Sequence, residues 1–285
     1  MKNILKSIFV SSFIMYAIFS VIQSVLHLIN HGFSYRFIGR LIVSFTIAFL
    51  FIKAMTLHNT ARTSANLWYR TALVTIGFLI SIIGSGLNEN GGIIDSVPSL
   101  ILLVGWLIYV FWYSRFGTRD TTIKVGNPLP EFELEDTHKK MISSKSFLGK
   151  PTIFMFYRGN WCPLCMAQIK EIASQYNELE KRGITMALIS PQPHHFSKSL
   201  AKKHRINFQF LVDVDNKVAK QLHIFHKNGL PAGMQMFGYK NDTVMPTIMI
   251  IDATGTIIFT DLTDNYRVRP EPETFFKVLD AHSLV

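Results

Sequence analysis

Charge is scarce in this chain of 285 residues, and it is scarcest at the N-terminal end. Only 17% of the residues are charged, against about 25% in soluble domains. Residues 1–119 contain nine Lys or Arg and two Asp or Glu, whereas residues 120–285 contain twenty and seventeen. Because so apolar a chain can bury surface, intrinsic disorder is excluded. The excess positive charge lies between apolar segments rather than on one polar face, which argues against nucleic-acid binding.

Cysteine is almost absent, with two residues in the whole chain. Two cysteines can form at most one disulfide bond within the chain, so a fold held together by several disulfides is excluded. A zinc site would need two further ligands, and the histidines of the C-terminal half show no metal-ligand spacing. We therefore expect neither a metal nor a cofactor. Because Cys162 and Cys165 stand three positions apart, we interpret them as a pair.

Charged residues are missing from four long segments within the first 119 residues. Segment 8–29 has 22 residues without a charge, and a membrane-spanning helix needs about 20. Segment 41–57 contains only Lys53, and segments 71–87 and 97–113 contain no charged residue. Consecutive helical segments without a polar face indicate a membrane bundle rather than the buried helices of a soluble protein. We therefore predict a membrane domain of about four spans over residues 1–119, embedded in a lipid bilayer.

The basic residues between the spans predict the orientation of this domain. With four spans and both termini in the cytoplasm, eight basic residues lie on the cytoplasmic side and two on the other. The segment 88–96 has no basic residue and carries Glu89 and Asp95. Since cytoplasmic loops are enriched in Lys and Arg, we expect the C-terminal domain in the cytoplasm.

Residues 120–285 have the ordinary composition of a compact α/β domain. Apolar, β-rich segments at 152–157, 184–189 and 208–212 alternate with helical patterns at 163–182 and 194–205. Hairpins are predicted over 131–142 and 247–261, and a closing helix over 274–282. This order predicts a mixed central sheet with helices on both faces.

The sequence Cys162-Pro163-Leu164-Cys165 stands where a predicted buried strand gives way to a helix. Proline suits the first helical position, so Cys162 is expected at the N-cap, where backbone N–H groups and the helix dipole favour a thiolate. Cys165 lies one turn further on the same face and can close a disulfide with Cys162. The pattern favours redox chemistry over a metal site or plain packing. We expect Cys162 to have the lower pKa and to be the nucleophile, with Cys165 resolving.

The segment TIFMFYRGNWCPLC at 152–165 is highly specific, and four further segments accompany it: VGNPLPEFEL, ITMALIS, MPTIMIIDATGTI and NYRVRPEPE. In these segments, residues 124–281 resemble the alkyl hydroperoxide reductase/thiol-specific antioxidant group, a peroxiredoxin-like family. The resemblance implies a thioredoxin-like fold, a disulfide or peroxide substrate and a dithiol electron donor. The membrane segments resemble no family that we recognise.

The chain departs from the family pattern at three positions. Peroxiredoxins typically have Pro and Thr or Ser seven and three residues before the peroxidatic cysteine, and here these are Met155 and Gly159. Their arginine before a late strand is replaced by Pro246. A proline at this place resembles thioredoxins, in which it is cis and lies against the cysteine pair. By that resemblance Pro246 would be cis, and Met245 would offer a backbone edge to a substrate disulfide.

Three other groups are candidates for supporting roles. Arg158 is the only charge in the loop before the pair and could stabilise a thiolate; its alternative is a solvated loop residue. Trp161 could cover the disulfide. Arg267 and Arg269, in the tail segment, are expected to make surface contacts.

These features leave three functions open. The first is a membrane-tethered thiol-disulfide oxidoreductase, which Pro246 favours. The second is an antioxidant peroxide reductase using the same cysteines, slowed by the missing Thr and Arg unless Arg158 substitutes. The third is a redox-sensing scaffold with little turnover, although a pure scaffold has no need of an intact cysteine pair.

Overall fold

A computed structural model describes residues 2–57, 59–87, 92–204 and 206–282. Contacts divide the chain into two compact units, each continuous in space but not in sequence. The helical unit is Met1–Leu57 with Ser64–Arg115, and the α/β unit is His58–Thr63 with Phe116–Val285. The sequence predicted a single boundary near residue 119, so the short segment between the second and third helices is an unexpected part of the α/β unit.

The helical unit consists of long apolar helices. They are α1 (Lys2–His31), α2 (Tyr35–Leu57), α3 (Trp68–Gly86) and α4 (Val97–Ile108), with a 3₁₀ turn before α4 at Ile93–Ser96 and a π-helical turn after it at Tyr109–Tyr113. Within the described residues, four helices are long and apolar enough to cross a membrane, the last running from Ile94 to Tyr113. Their positions agree with the four predicted apolar segments.

Apolar side chains cover the outside of the helical unit as well as its core. Val43, Ile47 and Trp106 are fully buried, whereas Met15 and Ile29 are 68% and 71% exposed. The Trp106 indole N–H donates to Thr71 Oγ1 at 3.0 Å, which satisfies its one polar atom. An apolar exterior of this kind is the kind of surface that lipid covers.

The α/β unit is built on a seven-stranded mixed sheet. Its elements, in chain order, are β1 (Glu133–Glu135), β2 (Met141–Ser143), β3 (Thr152–Phe156), α5 (Pro163–Ser174), α6 (Tyr176–Lys181), β4 (Thr185–Ser190), α7 (His194–His204), β5 (Gln209–Val212), α8 (Lys217–Gln221), β6 (Phe225–His226), β7 (Thr243–Val244), β8 (Thr247–Ile251), β9 (Ile257–Asp261) and α9 (Pro272–Ala281). The strand order is β2-β1-β5-β4-β3-β8-β9, and β6 pairs with β7 in a separate ribbon. Strands β3, β4 and β5 are parallel, whereas β8 and β9 run antiparallel to their neighbours. The mixed sheet and the thioredoxin-like α/β architecture predicted from the sequence are confirmed.

The centre of the sheet is buried on both faces, as its apolar sequence predicts. Every residue of β3 and β8 is buried, and Phe154 pairs across the ladders with Ala187 and Met249. The rigid β3 ends at Phe156, six residues before Cys162, so the site loop leaves a fixed point in the sheet.

The predicted helix over 163–182 is two helices. The backbone of Gln175 leaves helical geometry (φ −96°, ψ 10°), which ends α5 at Ser174 and starts α6 at Tyr176. The apolar spacing continues across this break, which explains why the sequence predicted one helix.

Candidate active site

The two cysteines lie where the sequence predicted, at the start of α5. Cys162 precedes the helix in extended geometry (φ −88°, ψ 107°), and Pro163 is in its first turn. The Cys162 and Cys165 sulfurs are 2.7 Å apart, and both residues are free thiols. Cys162 is 2% exposed and Cys165 is fully buried. The pair is therefore close enough to form a disulfide and is shielded from bulk water.

The guanidinium of Arg269 lies against both sulfurs. Its Nη2 is 3.5 Å from Cys165 Sγ and 4.0 Å from Cys162 Sγ. The other nitrogens are held in place: Nη1 donates to Gln168 Oε1 at 2.9 Å and Nε donates to Tyr266 O at 3.0 Å. With 6% of its surface exposed, Arg269 is a fixed positive charge inside the site.

This position corrects the expectation that Arg267 and Arg269 make surface contacts, since both are buried. Arg269 is the site residue that the sequence reasoning missed. Its contact with Cys165 joins positions 104 residues apart, and no local pattern reports so distant a pairing. The available signal was the tail segment NYRVRPEPE, which accompanies the cysteine segment in the family resemblance.

The two thiols share the charge of one thiolate. Burial opposes ionisation of Cys165, but the hydrogen bond between the thiols and the positive charge of Arg269 outweigh it and lower the pKa of Cys165 to about 5. Burial raises the pKa of Cys162, and the hydrogen bond and negative charge of Cys165 raise it further. We predicted the lower pKa at Cys162; the hydrogen bond between the thiols and, after it, the positive charge of Arg269 place the lower pKa at Cys165 instead. Because the sulfurs interact so closely, the low first ionisation belongs to the pair.

Arg158 is buried beside the site rather than solvated. Its guanidinium lies 4.7 Å from the ring centroid of Trp161 and 5.8 Å from that of Tyr266, and it donates to the carbonyl of Gly229. Its positive charge opposes the rise in the pKa of Cys162, after the larger contribution of Arg269. Arg158 therefore contributes a second positive charge, while its described contacts fix the loop.

Gly159 and Trp161 shape the turn that precedes the pair. Gly159 has φ +145°, and a Cβ there would lie 2.6 Å from Trp161 Nε1. The half-buried Trp161 thus packs on the glycine and under Arg158. The hydroxyl residue that the family usually has at position 159 would be strained by this backbone.

Pro246 and Met245 do not have the geometry that the thioredoxin resemblance implied. The described backbone contains no cis peptide bond, so Pro246 is trans. The N–H of Met245 donates to Ile224 O at 2.8 Å, and its carbonyl accepts from Thr247 Oγ1 at 2.9 Å. Met245 directly follows β7, which pairs with β6, so its backbone groups are hydrogen-bonded within the domain. They are therefore not open to a substrate.

Across residues 2–57, 59–87, 92–204 and 206–282, no three His, Cys, Asp or Glu side chains cluster as metal ligands would. The groups that the site brings together are two thiols and two guanidinium groups.

A buried thiol pair at the start of a helix, next to an arginine and on a thioredoxin-like sheet, is characteristic of thiol-dependent redox enzymes.

Residues 125–260 match the AhpC/TSA family. Peroxiredoxin Bcp of Escherichia coli is 26% identical over 135 residues, which are 47% of this chain and 83% of that protein. Thiol-disulfide oxidoreductase ResA of Bacillus subtilis is 28% identical over 124 residues, covering 42% of this chain and 66% of that protein. The structure of peroxidoxin BcpB from Mycobacterium tuberculosis is similar with a TM-score of 0.46 and 18% identity, over 56% of this chain and 97% of that one.

Proposed function

We propose that the chain is a membrane-anchored, thiol-dependent peroxide reductase in which Cys162 attacks the peroxide and Cys165 resolves the product. The observation that carries this proposal is the buried Arg269 guanidinium, which lies 3.5 Å and 4.0 Å from the two sulfurs. A fixed positive charge favours the thiolate. The same charge can stabilise the negative charge that develops on a peroxide oxygen as the O–O bond breaks. Arg269 thus supplies what the missing family arginine would have supplied.

Burial of the pair favours a small substrate. Cys162 has only 2% of its surface exposed. A protein disulfide must bring a sulfur and its surrounding chain to Cys162, whereas hydrogen peroxide brings two oxygen atoms. The N–H of Met245, the expected contact for a substrate chain, already donates to Ile224 O. Both observations favour peroxide over a protein disulfide.

The proposed reaction uses one proton shared between the two sulfurs. The proton moves from Cys162 to Cys165, and the Cys162 thiolate attacks one peroxide oxygen. The O–O bond breaks, leaving a sulfenic acid on Cys162 and an alkoxide or hydroxide that takes up a proton. The Cys165 sulfur then attacks the sulfenic acid, forms the Cys162–Cys165 disulfide and releases water. A dithiol donor reduces this disulfide by exchange and becomes oxidised.

Thiol-disulfide exchange is the second candidate. A Cys-x-x-Cys pair at a helix start suits exchange through a mixed disulfide, and the relative named thiol-disulfide oxidoreductase contains a matching segment. The trans Pro246 and the occupied Met245 edge remove the argument that placed this function first.

Membrane anchoring by the helical unit is the second part of the proposal. The four long apolar helices and their apolar exterior support it. The distribution of Lys and Arg supports a cytoplasmic α/β unit, where thiol donors keep cysteines reduced.

Peroxide consumption by the purified full-length protein, with a small dithiol as donor, tests the proposal. Cys162→Ser is expected to abolish turnover. Arg269→Met is expected to slow it about 10²- to 10³-fold, the usual effect of removing one charge-stabilising group. Arg158→Met is expected to have a smaller effect, because its described contacts are with rings and a carbonyl.

Arg182→Met is the matched control, since Arg182 binds Glu178 and Asp280 within the same unit. It should leave turnover unchanged. Reduction of insulin disulfides without peroxide turnover would make exchange the function. Absence of both activities, with a reversible disulfide retained, would indicate a redox sensor.

A further inference from the structure

The segment that joins α2 to α3 belongs to the α/β unit and is hydrogen-bonded to the tail segment before α9. Thr63 N–H donates to Arg267 O at 2.8 Å, and Arg267 Nη1 donates to Thr63 Oγ1 at 2.9 Å. Ala61 is 2% exposed. Residues 59–63, which we call the α2–α3 segment, are thus packed against the backbone that carries Arg269.

Arg62 binds the same backbone two to three residues further along the chain. Its Nε donates to Arg269 O at 3.2 Å, and its Nη2 donates to Pro270 O at 3.3 Å. The bonds from Thr63 and Arg62 therefore flank Arg269 on both sides along the chain. A backbone fixed at Arg267, Arg269 and Pro270 leaves the Arg269 side chain little freedom to move away from the sulfurs.

Arg62 is also tied to the helix that carries the thiols. Its Nη1 and Nη2 lie 3.4 Å and 2.5 Å from the two carboxylate oxygens of Glu171. Residues Cys165, Gln168 and Glu171 are spaced by three and form one row along α5. Arg269 binds the first two members of this row and Arg62 binds the third. The two arginines thus fasten the tail to α5 at adjacent turns.

We propose that Arg62 is a positioning residue of the redox site: the α2–α3 segment clamps residues 267–270 to α5 and so keeps the Arg269 guanidinium against the two sulfurs. The inference deepens the proposed function, on which it rests, by assigning part of the thiol electrostatics to Arg62, which lies 103 positions before Cys165 in the sequence.

Other charged or titratable groups near the pair come from different elements and do not depend on Arg62. Arg158 and Tyr157 approach from the site loop after β3, and Asp261 at the end of β9 interacts electrostatically with Arg269. Arg119, whose charge interacts with Asp261, donates to Pro246 O and Thr263 O. Their charges remain when Arg62 is replaced, so a change in thiol ionisation reports the placement of Arg269.

The test is the pH dependence of iodoacetamide alkylation of the reduced full-length protein, compared between wild type and Arg62→Met. Without the clamp, we expect the midpoint to rise by about one pH unit, so that alkylation below the wild-type midpoint is about tenfold slower. Arg62→Lys should raise the midpoint less than Arg62→Met does, because lysine keeps the positive charge but cannot make the bidentate hydrogen bonds to Glu171. Arg269→Met should raise the midpoint at least as far, and adding Arg62→Met to it should change nothing more.

Arg182→Met is again the control. Arg182 is about as buried as Arg62 and also has two carboxylate partners, but its partners lie outside residues 267–270. An unchanged midpoint in folded Arg62→Met, or an additive effect on top of Arg269→Met, would overturn the inference. If Arg62→Met does not fold, Glu171→Gln decides: its midpoint should rise, and an unchanged midpoint would overturn the inference. Peroxide turnover by wild type, measured in parallel, tests the proposed function separately, since alkylation requires no substrate.

Discussion

Among the charged residues near the thiol pair, Arg269 lowers the pKa values of the two thiols most. At about 4 Å and an effective dielectric constant of about 20, two unit charges interact by about 4 kcal/mol. An attraction of this size is of the order needed to bring a buried thiol to a pKa of about 5 against the cost of burial. The site therefore combines two conditions that oppose each other in most proteins: exclusion of water and an ionised sulfur.

Reactivity of the pair should persist well below the ordinary range for cysteine. A thiol with a lowered pKa stays ionised as the pH falls and is protonated only below that pKa, so alkylation of the reduced protein should lose rate near pH 5. Iodoacetamide rates between pH 4 and 9 measure the midpoint, with Arg269→Met as the reference. A midpoint in the range of free cysteine would contradict the proposed role of Arg269. Preferential labelling of Cys165 would overturn the assignment of Cys162 as nucleophile.

Gly159→Thr places the usual family side chain at a position that the backbone does not accept. The positive φ and the 2.6 Å approach to Trp161 Nε1 should destabilise the protein by about 1–3 kcal/mol, with no gain in peroxide turnover. Urea unfolding followed by tryptophan fluorescence measures the loss. Gly126→Thr, at φ +90° with no atom within 4 Å of its Cβ, separates backbone strain from the clash. Faster turnover in Gly159→Thr would mean that the loop adapts.

Residues with a local signature were predictable and residues without one were not. Cys162 was placed at the helix start from Pro163 and the preceding apolar strand, because strand, loop and helix are all local features. Arg269 needed the tail to return to α5 across 104 positions. Pro246 was misjudged for the same reason, since the β6–β7 pairing that occupies Met245 is a tertiary contact.

At the scale of elements, small residues set how closely α2 and α3 approach. A Cβ on Gly39 would lie 2.3 Å from Ser81 N and 2.4 Å from Gly77 O, and one on Gly84 would lie 2.3 Å from Arg36 N. Small residues of this kind let helix backbones approach closely in membrane bundles. The α2–α3 crossing therefore has no room for a larger side chain.

Gly39→Val should push α2 and α3 apart and destabilise the helical unit by about 1–3 kcal/mol, the usual cost of overpacking. Thermal loss of the monodisperse peak of detergent-solubilised protein measures this. Gly86→Val introduces the same side chain where no atom lies within 4 Å and should be tolerated. Equal melting of the two variants would argue against close α2–α3 packing.

Helices and strands were predicted correctly where the periodicity of apolar residues was strong. The buried strands β3, β4 and β8 and the long helices follow directly from their composition. The break at Gln175 was not foreseeable, because Ile172, Tyr176 and Leu179 keep helical spacing on both sides of it.

At the scale of the whole molecule, the order of segments limits the possible membrane topologies. Residues 59–63 and residues from 116 onward belong to one unit, so the chain between them must return to the side from which it left. In the proposed membrane-anchored arrangement, the number of crossings between Leu57 and Phe116 is therefore expected to be even, a condition that α3 and α4 as two spans would meet. This argument is independent of the Lys and Arg distribution.

Both termini should lie in the cytoplasm, on the same side as the α2–α3 segment. Reporter fusions at each terminus, active only in the cytoplasm, test this, with an insertion in the 88–96 segment as the opposite-side control. Activity at one terminus only would require an odd number of spans. Activity in the 88–96 insertion alone would reverse the orientation.

The discontinuous α/β unit also has a consequence for how the protein is made. Thr63 is synthesised 204 positions before its partner Arg267, which at 5–20 residues per second is roughly 10–40 s earlier. The α2–α3 segment therefore cannot bind the tail until Arg267 has been synthesised. A fragment that starts at Phe116 lacks this segment, and it would have to fold without the hydrogen bonds that Arg62 and Thr63 make to residues 267–270.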